Sequence, residues 1–214
     1  MRKNLFIALE GIDGSGKSTQ VKLLAERLSN AGHNVYATFE PTDGAIGTMI
    51  RNIMKGQMKA DDRTIAGLFV ADRLDHLLNE TNGILKKIQD GYTVITDRYY
   101  FSSYAYHGTH MSMDWVIAAN ALSAEILRPD LNIFIDVAPE TSMRRLSARG
   151  VIELYETLEN LKNVKAKYFE AFEKLQHKET IRIVEGDGAP ETISAKIWDE
   201  DESIVAAQRP PFLK

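Results

Sequence analysis

The stretch Leu5-Phe6-Ile7-Ala8-Leu9-Glu10-Gly11-Ile12-Asp13-Gly14-Ser15-Gly16-Lys17-Ser18-Thr19 decides the fold. It begins as an apolar run of strand length and then spells G-x-x-x-x-G-K-[ST] from Gly11 to Ser18. Glycines at those positions let the backbone N–H groups turn inward around a polyphosphate. Lys17 then reaches the transferable phosphates, and the Ser18 hydroxyl is placed to ligate Mg²⁺. A plain strand-to-helix turn would need the glycines but not the rest. The required context is present: the strand comes before, and Val21, Leu24, Ala25 and Leu28 follow at helical spacing. The chain is therefore expected to bind ATP or another nucleoside triphosphate through Gly11, Ile12, Asp13, Gly14, Ser15, Gly16, Lys17, Ser18 and Thr19.

Outward from that segment, four more β-rich runs alternate with long helical patterns: Asn34 to Phe39, Tyr92 to Thr96, Leu131 to Val137 and Thr180 to Val184. Strands that alternate with helices read as an α/β fold, here a five-stranded parallel sheet flanked by helices. One helix is expected from about Arg63 to Gln89, and a last one from Ile193 to about Gln208, stopped by Pro210-Pro211. Ligands of such sheets sit beyond the carboxyl ends of the strands. Those positions are polar and specific here, with Glu40-Pro41-Thr42-Asp43-Gly44 after the second strand and Asp97-Arg98-Tyr99 after the third.

Length and composition set bounds. The chain has 214 residues, 44% hydrophobic and 26% charged, which suits one domain with a sizeable core and argues against a disordered or fibrous chain. Its net charge of −4 makes polymeric DNA or RNA a poor partner, since a nucleic-acid footprint needs a basic face. It has no cysteine, which suits a reducing compartment. Glu10 ends the first apolar run too soon for a signal peptide, and no stretch approaches membrane-spanning length. The expected location is cytoplasmic.

Asp97 closes an apolar strand, the usual position for a carboxylate that holds a metal through its water shell; capping a helix or pairing with Arg98 is the alternative. Arg98 follows on the same edge, where its planar fork can grip a phosphate in two places or make a surface ion pair. Phe69 and Arg73 are four apart on a helix and share a face. Such a pair can stack a base and bond its edge, or be core plus solvent.

Taken together, Phe6 to Thr19, Phe69-Val70-Ala71-Asp72-Arg73 and Asp97-Arg98-Tyr99-Tyr100-Phe101-Ser102-Ser103-Tyr104-Ala105-Tyr106 resemble the thymidylate kinase family over essentially the whole chain. The resemblance implies transfer of the ATP γ-phosphate to dTMP with Mg²⁺, on a P-loop NTPase fold that usually forms a homodimer. It implies that Asp13 contacts the sugar of the acceptor and that Phe69 stacks on thymine. Arg73 would bond O4, Arg98 would hold the acceptor phosphate, and Ser103 and Tyr106 would line base and sugar. Another nucleoside monophosphate kinase on this scaffold, or a P-loop switch protein, is the alternative; no Asn-Lys-x-Asp motif for guanine is present.

Some family members carry an arginine in the phosphate loop where this chain has Gly14, so the missing charge is expected from a mobile lid near 144–160. The basic cluster of Arg144, Arg145 and Arg149 lies there. Arg149 is the preferred donor and Arg145 the second, a solvated helix end being the alternative for each. Two further departures stand out. No arginine accompanies Pro41, which leaves Arg51 as a candidate for the acceptor phosphate. Leu154 also occupies a position where an arginine is common.

Overall fold

A computed structural model describes residues 4–149 and 155–207. Five parallel strands form one sheet: β1 (Phe6–Glu10), β2 (Asn34–Phe39), β3 (Tyr92–Asp97), β4 (Leu131–Asp136) and β5 (Ile181–Glu185), in the order β2-β3-β1-β4-β5. The phosphate-loop strand is central. All five of its residues are buried, as a strand covered on both faces demands.

Alternation along β1 divides the core in two. Phe6 and Ala8 point into an aromatic layer with Tyr99, Tyr100, Phe101, Phe134, Tyr168 and Phe172. Most of that layer comes from α5 (Tyr100–His107) and α9 (Leu158–Leu175), with Phe134 from β4 and Tyr99 just before α5. Leu5, Ile7 and Leu9 point the other way, against Val21, Leu24 and Leu28 of α1 (Lys17–Asn30) and Ile193 and Ile197 of α10 (Pro190–Ala207). The final helix thus starts slightly earlier than the sequence suggests and serves as core. Its expected end at Gln208 lies outside the described residues.

The single helix expected over 63–89 is broken into α3 (Asp62–Leu78) and α4 (Ile84–Gln89). The cause is local. Asn79 leaves helical geometry with ψ 125°, and its Oδ1 accepts the backbone N–H groups of Thr81 (3.0 Å) and Asn82 (3.3 Å). A short amide side chain that offers the backbone such a bond competes with helix continuation. At Gly83 a Cβ would lie 2.4 Å from the Asn79 carbonyl, so the return turn has no room for a side chain. Three more helices complete the site's surroundings: α2 (Ala45–Met54), α6 (Met113–Ala119) and α7 (Ala121–Ile126). The remaining one, α8 (Pro139–Arg149), follows β4.

Candidate active site

β1 ends at Glu10, and the chain then makes the turn that the glycines require. Gly11, Gly14 and Gly16 have φ of 152°, 77° and 96°, values that side chains rarely adopt. α1 begins at Lys17, so its free N–H groups and positive dipole end face the loop, an anion site by construction. Lys17 Nζ donates to the carbonyls of Gly11 (3.1 Å) and Ile12 (3.0 Å). Burial, followed by the nearby Arg98 charge, lowers its pKa to about 8. The carboxylates of Asp97, Asp13 and Glu10 pull the other way without offsetting that cost, and a polyphosphate would add counter-charge.

The carboxyl ends of β1 and β3 border two hollows. One is walled by the phosphate loop with Lys17, Ser18, Thr19, Asp97 and Arg145. The other is walled by Phe69, Ser102, Ser103, Tyr106, His107 and Tyr155. Asp13 and Arg98 belong to both walls, so one ion pair marks the boundary.

That boundary is densely bonded. Arg98 Nη2 donates to Asp13 Oδ1, while Arg98 Nη1 donates to the Gly11 carbonyl (3.1 Å) and Ser102 Oγ (3.0 Å). The Tyr106 hydroxyl donates to Asp13 Oδ2 (2.7 Å) and accepts the Asp13 N–H (2.9 Å). Its ring lies under the Arg98 guanidinium, 5.0 Å from centroid to Cζ. Burial alone would raise the Asp13 pKa, but the charges of Arg98 and Lys17 outweigh it and hold the carboxyl below its usual range. Asp13 is therefore ionised. Arg98 itself sits at φ 76°, a left-handed conformation that costs a non-glycine residue roughly 1–3 kcal/mol and persists only where the surroundings enforce it. Here its N–H is tied to the Leu9 carbonyl (2.9 Å) and both terminal nitrogens of its guanidinium are held.

Beneath the pair lies Glu10, fully buried. Its Oε1 accepts the N–H groups of Tyr99 (2.9 Å) and Ser102 (3.3 Å), and its Oε2 accepts the hydroxyls of Ser102 (2.6 Å) and Tyr168 (3.0 Å). The carboxylate thus anchors the start of α5, and through Ser102 it steadies Arg98. Burial raises its pKa, although the Ser102 hydrogen bond and the Arg98 charge pull the other way. Sequence reasoning passed over Glu10. The available signal was a charged residue terminating an otherwise apolar strand.

For a metal, Ser18 Oγ donates to Asp97 Oδ2 at 2.5 Å, which brings the two expected ligands together at the phosphate loop. Among the described residues no cluster of three or more His, Cys, Asp or Glu could hold an ion unaided. Mg²⁺ takes hard oxygens, keeps several waters and is bound through one or two protein groups plus substrate phosphates, and the Ser18–Asp97 pair offers such oxygens.

One residue of the expected basic cluster lies at the phosphate loop. Arg145 reaches from α8 to donate to the carbonyls of Gly14, Ser15 and Gly186, each at 3.3 Å. The same helix explains Gly14: a Cβ there would stand 2.7 Å from the Ser142 carbonyl and 3.1 Å from Leu146, so no arginine fits on this loop. Of the expected lid, the Arg149 side chain and Leu154 lie outside the described residues.

Two other expected residues are placed differently from the sequence picture. Arg73 is 1% exposed and stands behind the second hollow rather than in its wall. All five of its N–H groups are engaged. Nε (2.9 Å) and Nη2 (2.7 Å) bond Glu40 Oε2, Nη2 also bonds the Tyr99 carbonyl (3.1 Å), and Nη1 bonds Ser103 Oγ (3.0 Å) and Asn120 Oδ1. Burial disfavours both charges of the Arg73–Glu40 pair, but their mutual attraction wins, lowering the Glu40 pKa and raising that of Arg73. Arg51 bonds the carbonyls of Pro41 (2.9 Å) and Thr42 and pairs with Asp43 at 3.5 Å, so it braces the turn after β2 and lines neither hollow. Phe69, Ser103 and Tyr106, by contrast, all face the second hollow.

A family model described as thymidylate kinase matches residues 9–197. A probable thymidylate kinase of Pyrococcus horikoshii is 37% identical over 202 residues, covering 91% of this chain and 94% of that protein. One from Thermococcus onnurineus is 36% identical over 98% of this chain and 100% of its own length. One from Caldivirga maquilingensis is 41% identical over 71% of this chain and 72% of its own.

Proposed function

This chain belongs to the thymidylate kinase family and phosphorylates dTMP, and from that premise we propose how its residues divide the work between the two hollows. ATP takes the loop side. The backbone N–H groups from Asp13 to Thr19 and the Lys17 ammonium hold its phosphates, and Arg145 adds positive charge beside Gly14. Ser18 and Asp97 would hold Mg²⁺, which when bound neutralises charge on the phosphates. The monophosphate takes the other side, its base against Phe69, its sugar near Tyr106 and Asp13, and its phosphate on Arg98.

An acceptor-phosphate oxygen then attacks the γ-phosphorus in line as the bond to the bridging oxygen breaks and ADP leaves. A phosphate monoester is largely dianionic at neutral pH, so the reaction asks for alignment and charge compensation rather than a strong base. What carries this reading is the shared Asp13–Arg98 boundary: a donor site and an acceptor site with one arginine between them. Arg73 serves the acceptor side from behind by fixing Ser103, and Arg51 by bracing the turn at Pro41. Homodimerisation, a lid near 144–160 and a cytoplasmic location belong to the same proposal and rest on the family alone.

The test is coupled ADP release with ATP and Mg²⁺ across dTMP, dUMP, dCMP, thymidine and AMP. The expected result is dTMP highest in kcat/KM, with ADP formation that depends on the acceptor. ADP production indifferent to any acceptor would sink the assignment in favour of a nucleotide switch.

A further inference from the structure

We propose that Glu10 is a positioning residue for phosphoryl transfer: by drawing the Tyr168 phenol proton to itself, it keeps the Gly11 carbonyl free for Lys17 and Arg98. The inference rests on the assignment of Lys17 to the donor phosphates and of Arg98 to the acceptor phosphate.

The Gly11 carbonyl links the two sides of the site. It accepts Lys17 Nζ and Arg98 Nη1, each at 3.1 Å, and two donors fill the two lone pairs of a carbonyl oxygen. The hydroxyl of Tyr168, a buried residue of α9, lies 3.3 Å from the same oxygen and would be a third donor. Its single proton has two other acceptors within reach, Glu10 Oε2 at 3.0 Å and Ser102 Oγ at 2.8 Å. Which oxygen takes that proton decides whether the two cations keep their shared support.

The backbone settles the choice. The N–H groups of Tyr99 and Ser102 can only donate, and both point at Glu10 Oε1, at 2.9 and 3.3 Å. The Ser102 hydroxyl donates to Oε2 at 2.6 Å, which leaves its lone pairs for Arg98 Nη1 at 3.0 Å. The Tyr168 proton then completes the ring of donors that a carboxylate can accept. A protonated acid would add a hydrogen to oxygens already surrounded by donors, so the ionised form is the one this cage fits, although burial pushes the pKa upward. Ionised Glu10 therefore turns the protons around it away from Gly11. A glutamine would reverse that order. The two backbone donors would hold its oxygen at the Oε1 position, so its amide NH₂ would face the hydroxyls of Ser102 and Tyr168. Both would have to accept, and the phenol proton would be left with Gly11.

Steady-state kinetics of the full chain, with thermal melting as the fold control, decides the matter. Glu10→Gln should lower kcat with dTMP and ATP by about tenfold, the order expected for one misplaced hydrogen bond. Tyr168→Phe removes the phenol proton, so adding Glu10→Gln in that background should cost kcat about threefold or less. A carboxylate with a merely structural role would give no such rescue. Wild-type kcat in Glu10→Gln, or the full tenfold cost in the Tyr168→Phe background, overturns the inference. Should Glu10→Gln fail to fold, ¹³C-glutamate labelling of the wild-type protein carries the test. The carboxyl signal that shifts in Tyr168→Phe is expected at the carboxylate position at neutral pH, and a neutral-acid position overturns the inference. Wild-type protein that transfers no phosphate to dTMP overturns the assignment of the sites, while the carboxyl signal still decides the order of the protons.

Discussion

Lys17→Ala is expected to abolish phosphoryl transfer, with kcat lower by about a thousandfold or more, while the protein stays folded. The ammonium stands in the wall of the donor hollow and bonds the Gly11 and Ile12 carbonyls, so it faces the place where charge develops on the transferred phosphoryl. Removing one pre-organised group of that kind costs roughly two to three powers of ten in other enzymes. Folding should not suffer in proportion. Burial already works against the charged form, as the pKa of about 8 records, so its loss removes a desolvation cost along with three contacts to the loop. Steady-state kinetics with thermal melting decides the matter: more than a tenth of the wild-type kcat in a folded variant would refute the role.

Arg98→Ala should strike the acceptor side. kcat/KM for dTMP is expected to fall by about a hundredfold or more, since a charge-assisted pair of bonds to phosphate is lost and Asp13 is left without its main partner. Direct binding of ATP should change little. A fold control follows from the backbone. Alanine keeps the unfavourable φ of 76°, whereas Arg98→Gly relieves it while removing the same guanidinium. Arg98→Gly should therefore be at least as stable as Arg98→Ala and equally inactive. Equal losses of dTMP and ATP binding in both variants would mean that the arginine holds the site together rather than the acceptor.

How much of this was legible beforehand depends on which interactions a residue uses. The phosphate loop and its flanking strand and helix are local, and their glycines, lysine and apolar spacing carry their own reasons; the structure has them where the sequence puts them. The parallel sheet followed from apolar, β-rich runs alternating with helical patterns, and its central strands β1, β3 and β4 are the buried ones. The break between α3 and α4 was readable in principle, since Asn79 and Gly83 are turn formers, but helical spacing on either side masked it.

Long-range pairing was not legible. The Glu40 carboxylate that claims Arg73 is 33 positions away in sequence, and nothing along the chain announces that a buried partner awaits that guanidinium. Likewise the exclusion of a side chain at Gly14 comes from Ser142 and Leu146 on α8, which meet the loop only once the sheet has formed. The same packing sets Arg145 beside the phosphate loop. Glu10 was missed for a related reason: burial gives it its meaning, and a charged strand end is ordinary until what surrounds it is known.

The central claim is that one arginine separates a donor site from an acceptor site, and a crystal structure of the protein soaked with dTMP tests it most directly. The account predicts the thymine ring against Phe69, between α3 and α5, with its phosphate within hydrogen-bond reach of Arg98. Thymidylate bound with its base in the phosphate-loop hollow, or with its phosphate away from Arg98, would contradict it.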